Sequence, residues 1–124
     1  MRRDGEPRRT LLVIDDEPAW RSLYRLEFES RFKVIEAADG RDGLEKLESS
    51  LPDLVILDLA MPRMDGARFL ACLQDKGFRT PVIVCSAFEA EAQRLERPSV
   101  RVVSKSTDLT ELSRAVLTLS SVPR

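Results

Sequence analysis

The sequence predicts an α/β domain built as a doubly wound, five-stranded parallel sheet. From Thr10 onward, short apolar runs alternate with helical patterns five times, with no repeat or low-complexity segment between them. The runs are nearly continuous in apolar residues, as strands covered on both faces are. A chain of 124 residues is about one domain's worth and buries one continuous core.

The strands are expected at Leu11 to Ile14, Val34 to Ala37, Leu54 to Leu57, Val82 to Cys85 and Val100 to Val103. The first helix is marked by Pro18 in its first turn and by Trp20, Leu23, Tyr24 and Phe28 at helical spacing. The second is inferred from the alternation alone. Asp65 precedes the third, whose stripe is Gly66, Phe69, Leu70 and Leu73. Glu89 to Glu96 supplies only a short fourth helix before Pro98. The fifth carries Leu109, Leu112, Val116 and Leu119, with Asp108 and Glu111 spaced as a capping box. These stripes are read as core faces, not as cofactor contacts. A flexible charged segment at residues 1–9 and a tail at 121–124 are expected to flank a folded domain at 10–120.

Composition excludes several function classes. Apolar residues make up 43% and charged residues 33%, a mixture too balanced for disorder. With 20 Lys and Arg against 21 Asp and Glu, direct nucleic-acid binding is not expected. The apolar runs fall far short of the roughly 20 residues that span a bilayer, and the charged N-terminus has no secretory core. The cytoplasm is therefore the expected compartment. Cys72 and Cys85 sit in apolar periodic segments and read as buried free thiols. The chain has no His, which removes catalytic triads, His-ligated zinc and phosphohistidine chemistry of its own.

In doubly wound folds ligands bind beyond the carboxyl ends of the strands, so the residues that follow the strands carry the functional argument. They are Asp15, Asp16 and Glu17 after the first, Asp58 after the third, Ser86 after the fourth and Lys105 shortly after the fifth. Singly, each reads as a cap, a turn or a solvated side chain. Jointly, independent surface residues have no reason to gather at one rim with such complementary chemistry. Carboxylates sharing one crevice repel and need a cation. All-oxygen ligation suits Mg²⁺, with Mn²⁺ as a substitute. Asp58 is then a candidate nucleophile that forms an aspartyl phosphate. The Ser86 hydroxyl and the Lys105 ammonium bind phosphoryl oxygens, so that catalysis is mainly positioning and electrostatics.

Three stretches resemble the receiver domain of two-component response regulators, the CheY-like fold: Leu12 to Pro18, Asp53 to Gly66, and Ser86-Ala87 with Lys105. The resemblance covers roughly Thr10 to Ser120. It implies a flavodoxin-like strand order, 2-1-3-4-5. It also implies that Asp15, Asp16, Asp58 and the Ala60 carbonyl hold the metal, that Asp58 is the phosphoacceptor, and that Ser86 and Lys105 bind the phosphoryl group. The implied donor is a sensor histidine kinase or a histidine phosphotransfer protein. The domain is then a switch that catalyses its own phosphorylation and slow dephosphorylation rather than a conventional enzyme, acting on a downstream effector or through a phosphorylation-dependent homodimer.

The chain departs from that pattern in three places. Val102 stands where such domains carry an aromatic switch residue. Ser106 replaces the proline that follows the lysine, where a cis peptide without proline costs about 2.5–4 kcal/mol. The Ser86 to Lys105 segment is short. An atypical output face is expected from these differences. Ala60 and Phe88, two residues past Asp58 and Ser86, would flank the phosphoryl group with apolar side chains and slow its hydrolysis. The main alternative is a pseudo-receiver, an interaction module that signals independently of phosphorylation. A haloacid-dehalogenase phosphatase would need an acid where Ala60 stands, and a flavin carrier would not place Asp15, Asp16 and Glu17 against a phosphate. No output domain is expected after residue 120, which leaves a stand-alone receiver or a piece of a longer regulator.

Overall fold

Strands rich in Val, Ile and Leu form a five-stranded sheet in the order β2-β1-β3-β4-β5, with every pair parallel. The computed structural model describes residues 8–59, 61 and 65–120. In chain order the strands are β1 (Arg9–Ile14), β2 (Phe32–Ala37), β3 (Leu54–Asp58), β4 (Val82–Ser86) and β5 (Val100–Ser104). The helices are α1 (Pro18–Phe28), α2 (Gly40–Ser50), α3 (Gly66–Asp75), α4 (Glu89–Ala92) and α5 (Thr110–Ser120), with a 3-10 turn at Gln93–Leu95. The strand order reverses between β1 and β3, so the crevice of the fold opens between their carboxyl ends.

Alternate strand residues feed two separate cores. Leu11, Val13, Ile56, Ile83 and Cys85 pack beneath α1 and α5 against Tyr24, Phe28, Leu112 and Val116. Leu12, Ile14, Val55, Leu57 and Val84 pack on the other face against Leu47, Phe69, Leu70 and Ala92. All five β3 residues are buried, as are all five of β4. Continuous apolar runs are the direct consequence of covering both faces.

Several local expectations need correction. The ladders extend one residue further than the apolar runs, pairing Asp58 with Cys85 and Ser86 with Ser104. Asp58 and Ser86 thus end their strands instead of following them, and are held by the sheet itself. The Asp108 carboxylate accepts from the Thr110 backbone N–H and hydroxyl, but the Asp108 N–H is taken by the Ser106 hydroxyl. Ser106 therefore fills the reciprocal part of the box that was expected of Glu111. Cys72 is only partly buried, while Cys85 is buried, and both are free thiols. Pro18 does open α1, and Asp65 caps α3 by accepting from Arg68 N–H. Among the described residues no helix is long and apolar enough to cross a membrane.

Helix α2 ends at Leu51, a non-glycine residue at φ 47° whose side chain is 66% exposed. The left-handed conformation costs an L-residue about 1–2 kcal/mol, and glycine is the usual helix-terminating residue there. Leu51→Gly is expected to stabilise the fold by roughly 0.5–1 kcal/mol once glycine's larger unfolded-state entropy is subtracted. Urea unfolding monitored by circular dichroism checks this, and an unchanged or lower midpoint contradicts it.

Candidate functional site

Five polar residues named from the sequence converge at the carboxyl ends of β1, β3, β4 and β5. Asp15 follows β1 and is 1% exposed; Asp58 ends β3 and is 7% exposed. Asp16 is exposed, yet one carboxylate oxygen from each of Asp15, Asp16 and Asp58 lies within 4.8 Å of the other two. Hard oxygen donors at that separation fit a small divalent cation that keeps part of its water shell. The Ala60 carbonyl, the fourth expected protein ligand, lies outside the described residues.

Lys105 supplies the counter-charge. Its Nζ is 2.9 Å from Asp15 Oδ2 and 3.4 Å from Asp58 Oδ1, with the lysine side chain only 9% exposed. Desolvation opposes its charge, but Asp15 and then Asp58 outweigh that and raise its pKa above the ordinary 10.5. The Asp58 carboxyl moves upward too, from 3.8 to about 6. Burial is the largest cause, followed by the Asp15 charge; Lys105 pulls the other way, and Asp16 adds a smaller push. Asp58 is thus a carboxylate held at an energetic cost, which an arriving cation relieves.

The backbone locks these groups in register. The Asp15 N–H donates to the Ala37 carbonyl, and the Glu17 N–H donates to Asp15 Oδ1 at 2.9 Å. The exposed Glu17 side chain makes no capping bond, and it is the Glu17 backbone N–H that contacts the site. The Lys105 N–H donates to the Ser86 carbonyl at 3.0 Å. Ser86 is 3% exposed, and its Oγ accepts from the Phe88 N–H at 3.0 Å. That bond occupies a lone pair and leaves the hydroxyl proton free to turn toward an anion. Ala87 and Phe88 are exposed, Phe88 at 67%.

Two contributors escaped the sequence reading. Arg21 donates from its guanidinium to the Asp15 carbonyl at 2.7 Å and is itself held by Glu36 at 3.1 Å. The ring of Trp20 lies under Lys105 Nζ, 4.9 Å from centroid to nitrogen. Both sit on α1, where the helical stripe accounts for Trp20 and nothing in the local pattern marks Arg21.

Val102 is 4% exposed and packs in the core that holds Ala92 and Val100, with Leu95 against it. Its N–H donates to the Glu96 carboxylate at 3.1 Å, so a side chain from the short segment after α4 covers the outer edge of β5.

Gly66 opens α3 directly against the end of β3. A Cβ there would stand 2.8 Å from Leu59 Cα and 3.0 Å from the Asp58 carbonyl oxygen. Both neighbours are backbone, so the chain itself must move. Gly66→Ala is expected to cost about 1–3 kcal/mol as overpacking and to displace the Asp58 peptide. Chemical denaturation measures the first effect, and a stability equal to the native chain's would contradict it.

The model for the response regulator receiver domain matches residues 11–117. Regulator of RpoS from Escherichia coli (strain K12) is 45% identical over 80 residues, which cover 64% of this chain and 24% of that protein. The probable transcriptional regulatory protein NarL of Mycobacterium tuberculosis is 33% identical over 119 residues, 90% of this chain and 55% of that protein. The chain thus spans about a quarter of the first of these curated relatives and about half of the second. Among solved structures, response regulator TrrA of Thermotoga maritima, crystallised in complex with Mg²⁺-BeF, superposes with a TM-score of 0.81 at 31% identity. The match covers 90% of this chain and 98% of that one.

Proposed function

The chain belongs to the response regulator receiver domain family, and from that premise we propose that Asp58 is its phosphoacceptor. Receiver domains bind Mg²⁺ at an acidic pocket and interact with histidine kinases and effectors. The observation that carries the assignment is that the Asp58 carboxylate, at the switch point, lies within reach of the Lys105 ammonium and is clustered with the Asp15 and Asp16 carboxylates.

A carboxylate oxygen of Asp58 attacks phosphorus, and the bond from phosphorus to the donor breaks, its electron pair leaving with the donor. With a kinase or phosphotransfer protein as donor, that pair returns to the histidine nitrogen. Lys105 neutralises one phosphoryl oxygen, and the Ser86 hydroxyl donates to another. Asp15, Asp16 and Asp58, with the Ala60 carbonyl as the further expected ligand, would hold Mg²⁺, or Mn²⁺ in its place. The ion supplies charge neutralisation as phosphoryl oxygens approach the carboxylates.

The proposal extends to an atypical output. Phosphorylation is read without an aromatic switch residue, because Val102 is already buried and its backbone is bonded to Glu96. The readout then passes to an effector or a second copy of the chain through the surface around the single-turn α4. Intact-mass spectrometry after incubation with acetyl phosphate and Mg²⁺ tests the assignment. One phosphoryl adduct that requires the metal and is absent in Asp58→Asn supports it. No adduct, with a control receiver labelled under the same conditions, favours a module that signals by contact alone.

A further inference from the structure

We propose that Trp20 is a positioning residue for Lys105, its indole face keeping the ammonium aimed at Asp58 when Asp15 is engaged elsewhere. This rests on the reading of Asp58 as phosphoacceptor and adds a residue to that chemistry.

Among the described residues, Lys105 Nζ lies 2.9 Å from Asp15, 3.4 Å from Asp58 and 4.9 Å from the centre of the Trp20 ring. The last distance is inside the roughly 6 Å over which an aromatic face attracts a cation, and Trp is the strongest of the aromatic partners. Both carboxylates have competing duties in phosphoryl transfer, Asp15 as a metal ligand and Asp58 as the nucleophile. The indole has none. It is the partner that the chemistry leaves in place, beneath a lysine whose stem is otherwise flexible.

The ring is itself well fixed. It is half-buried against the core and packs on Tyr24 at 5.8 Å between centroids, where Tyr24 is 1% exposed. It stands in the first turn of α1, a turn whose entry is pinned by the Glu17 N–H on Asp15 Oδ1 and by Arg21 on the Asp15 carbonyl. The first acidic residue and the aromatic platform are therefore one rigid unit facing the lysine that follows β5.

The test compares the native chain with Trp20→Phe and Trp20→Leu for acetyl-phosphate labelling, read by intact mass. Mg²⁺ affinity is measured separately by calorimetry. Leu keeps apolar bulk without a π face; Phe keeps the face. Labelling is expected to slow roughly three- to tenfold in Trp20→Leu, as loss of a partly desolvated cation–π contact implies, and less in Trp20→Phe, while Mg²⁺ affinity is unchanged. Equal rates in both variants, whether native or reduced, assign Trp20 a packing role and overturn the proposal. A native chain that takes no label while a control receiver does overturns the phosphoacceptor reading and this inference with it.

A second readout does not depend on variants of Trp20. It is the sole tryptophan, so the emission of the unlabelled chain reports on its contact with the ammonium. Lys105→Met is expected to change that emission and to remove its response to beryllofluoride with Mg²⁺; identical spectra and responses overturn the proposal even if Trp20→Leu fails to fold.

Discussion

Asp58→Asn is expected to take up no phosphoryl group and, in metal-free buffer at pH 7, to melt above the native chain. The native carboxyl is pushed from 3.8 to about 6, first by burial and then by Asp15. In the range between those values the folded state holds a proton that the unfolded state releases, so native stability falls as pH rises from about 4 to about 6. Above that range both states are ionised and the whole penalty is present. Linkage puts it at about 3 kcal/mol, because each pKa unit is worth about 1.4 kcal/mol. Asparagine removes the penalty together with the 3.4 Å contact to Lys105, leaving a net gain of about 1–2 kcal/mol, or roughly 4–8 °C in melting temperature. The acid-side slope between pH 4 and 6 should flatten in the variant. Adding Mg²⁺ should raise the native chain more than the variant and close the gap. Calorimetry across pH in chelator measures this, and a variant that melts below the native chain at pH 7 contradicts the picture of a strained acidic pocket.

The same physics determined how much of the molecule was legible in its sequence. Strands buried on both faces must be continuously apolar, so all five are legible in the sequence, and of the polar residues that follow them Asp15, Asp16, Asp58 and Lys105 come together at one rim. Asp58 and Ser86 were placed one position too far out because hydrogen-bonded register, unlike hydrophobicity, continues through a polar side chain. Helix α2 left no apolar stripe because two of its buried positions are Gly40 and Gly43. A Cβ at Gly43 would stand 2.6 Å from Ile14 Cδ1, so close approach replaces side-chain bulk there. Trp20 was read as core, and it is packed against the core; its second contact joins residues far apart in the chain, which no periodicity encodes. The capping box failed for a related reason. Spacing made Glu111 eligible, but the Ser106 hydroxyl reached the Asp108 N–H instead.

Lys105→Met should produce the opposite change at the same pocket. At pH 7 without metal, removing the cation leaves Asp15 and Asp58 facing each other with side chains 2% and 9% exposed. Orphaning buried charge usually costs about 3–5 kcal/mol, and the low end applies because Asp58 can escape by binding a proton. The loss should therefore shrink as pH falls below about 6, where Asp58 is already neutral in the native chain. On the alkaline side, Lys105 has a folded pKa raised above 10.5. Its stabilisation is complete below that value and disappears only as pH rises through the folded pKa, so the native advantage should persist from neutrality to about pH 10 and then narrow. Mg²⁺ should restore much of the lost stability by supplying the missing charge, without restoring phosphoryl uptake at the native rate, since in the proposed reaction the ammonium also neutralises a phosphoryl oxygen. Denaturation midpoints in chelator and in Mg²⁺, paired with mass-spectrometric labelling, separate the two effects. A variant as stable as the native chain in chelator at pH 7 would mean that the carboxylates do not depend on Lys105. A variant rescued by Mg²⁺ in stability and in labelling alike would mean that the lysine serves the fold and not the chemistry.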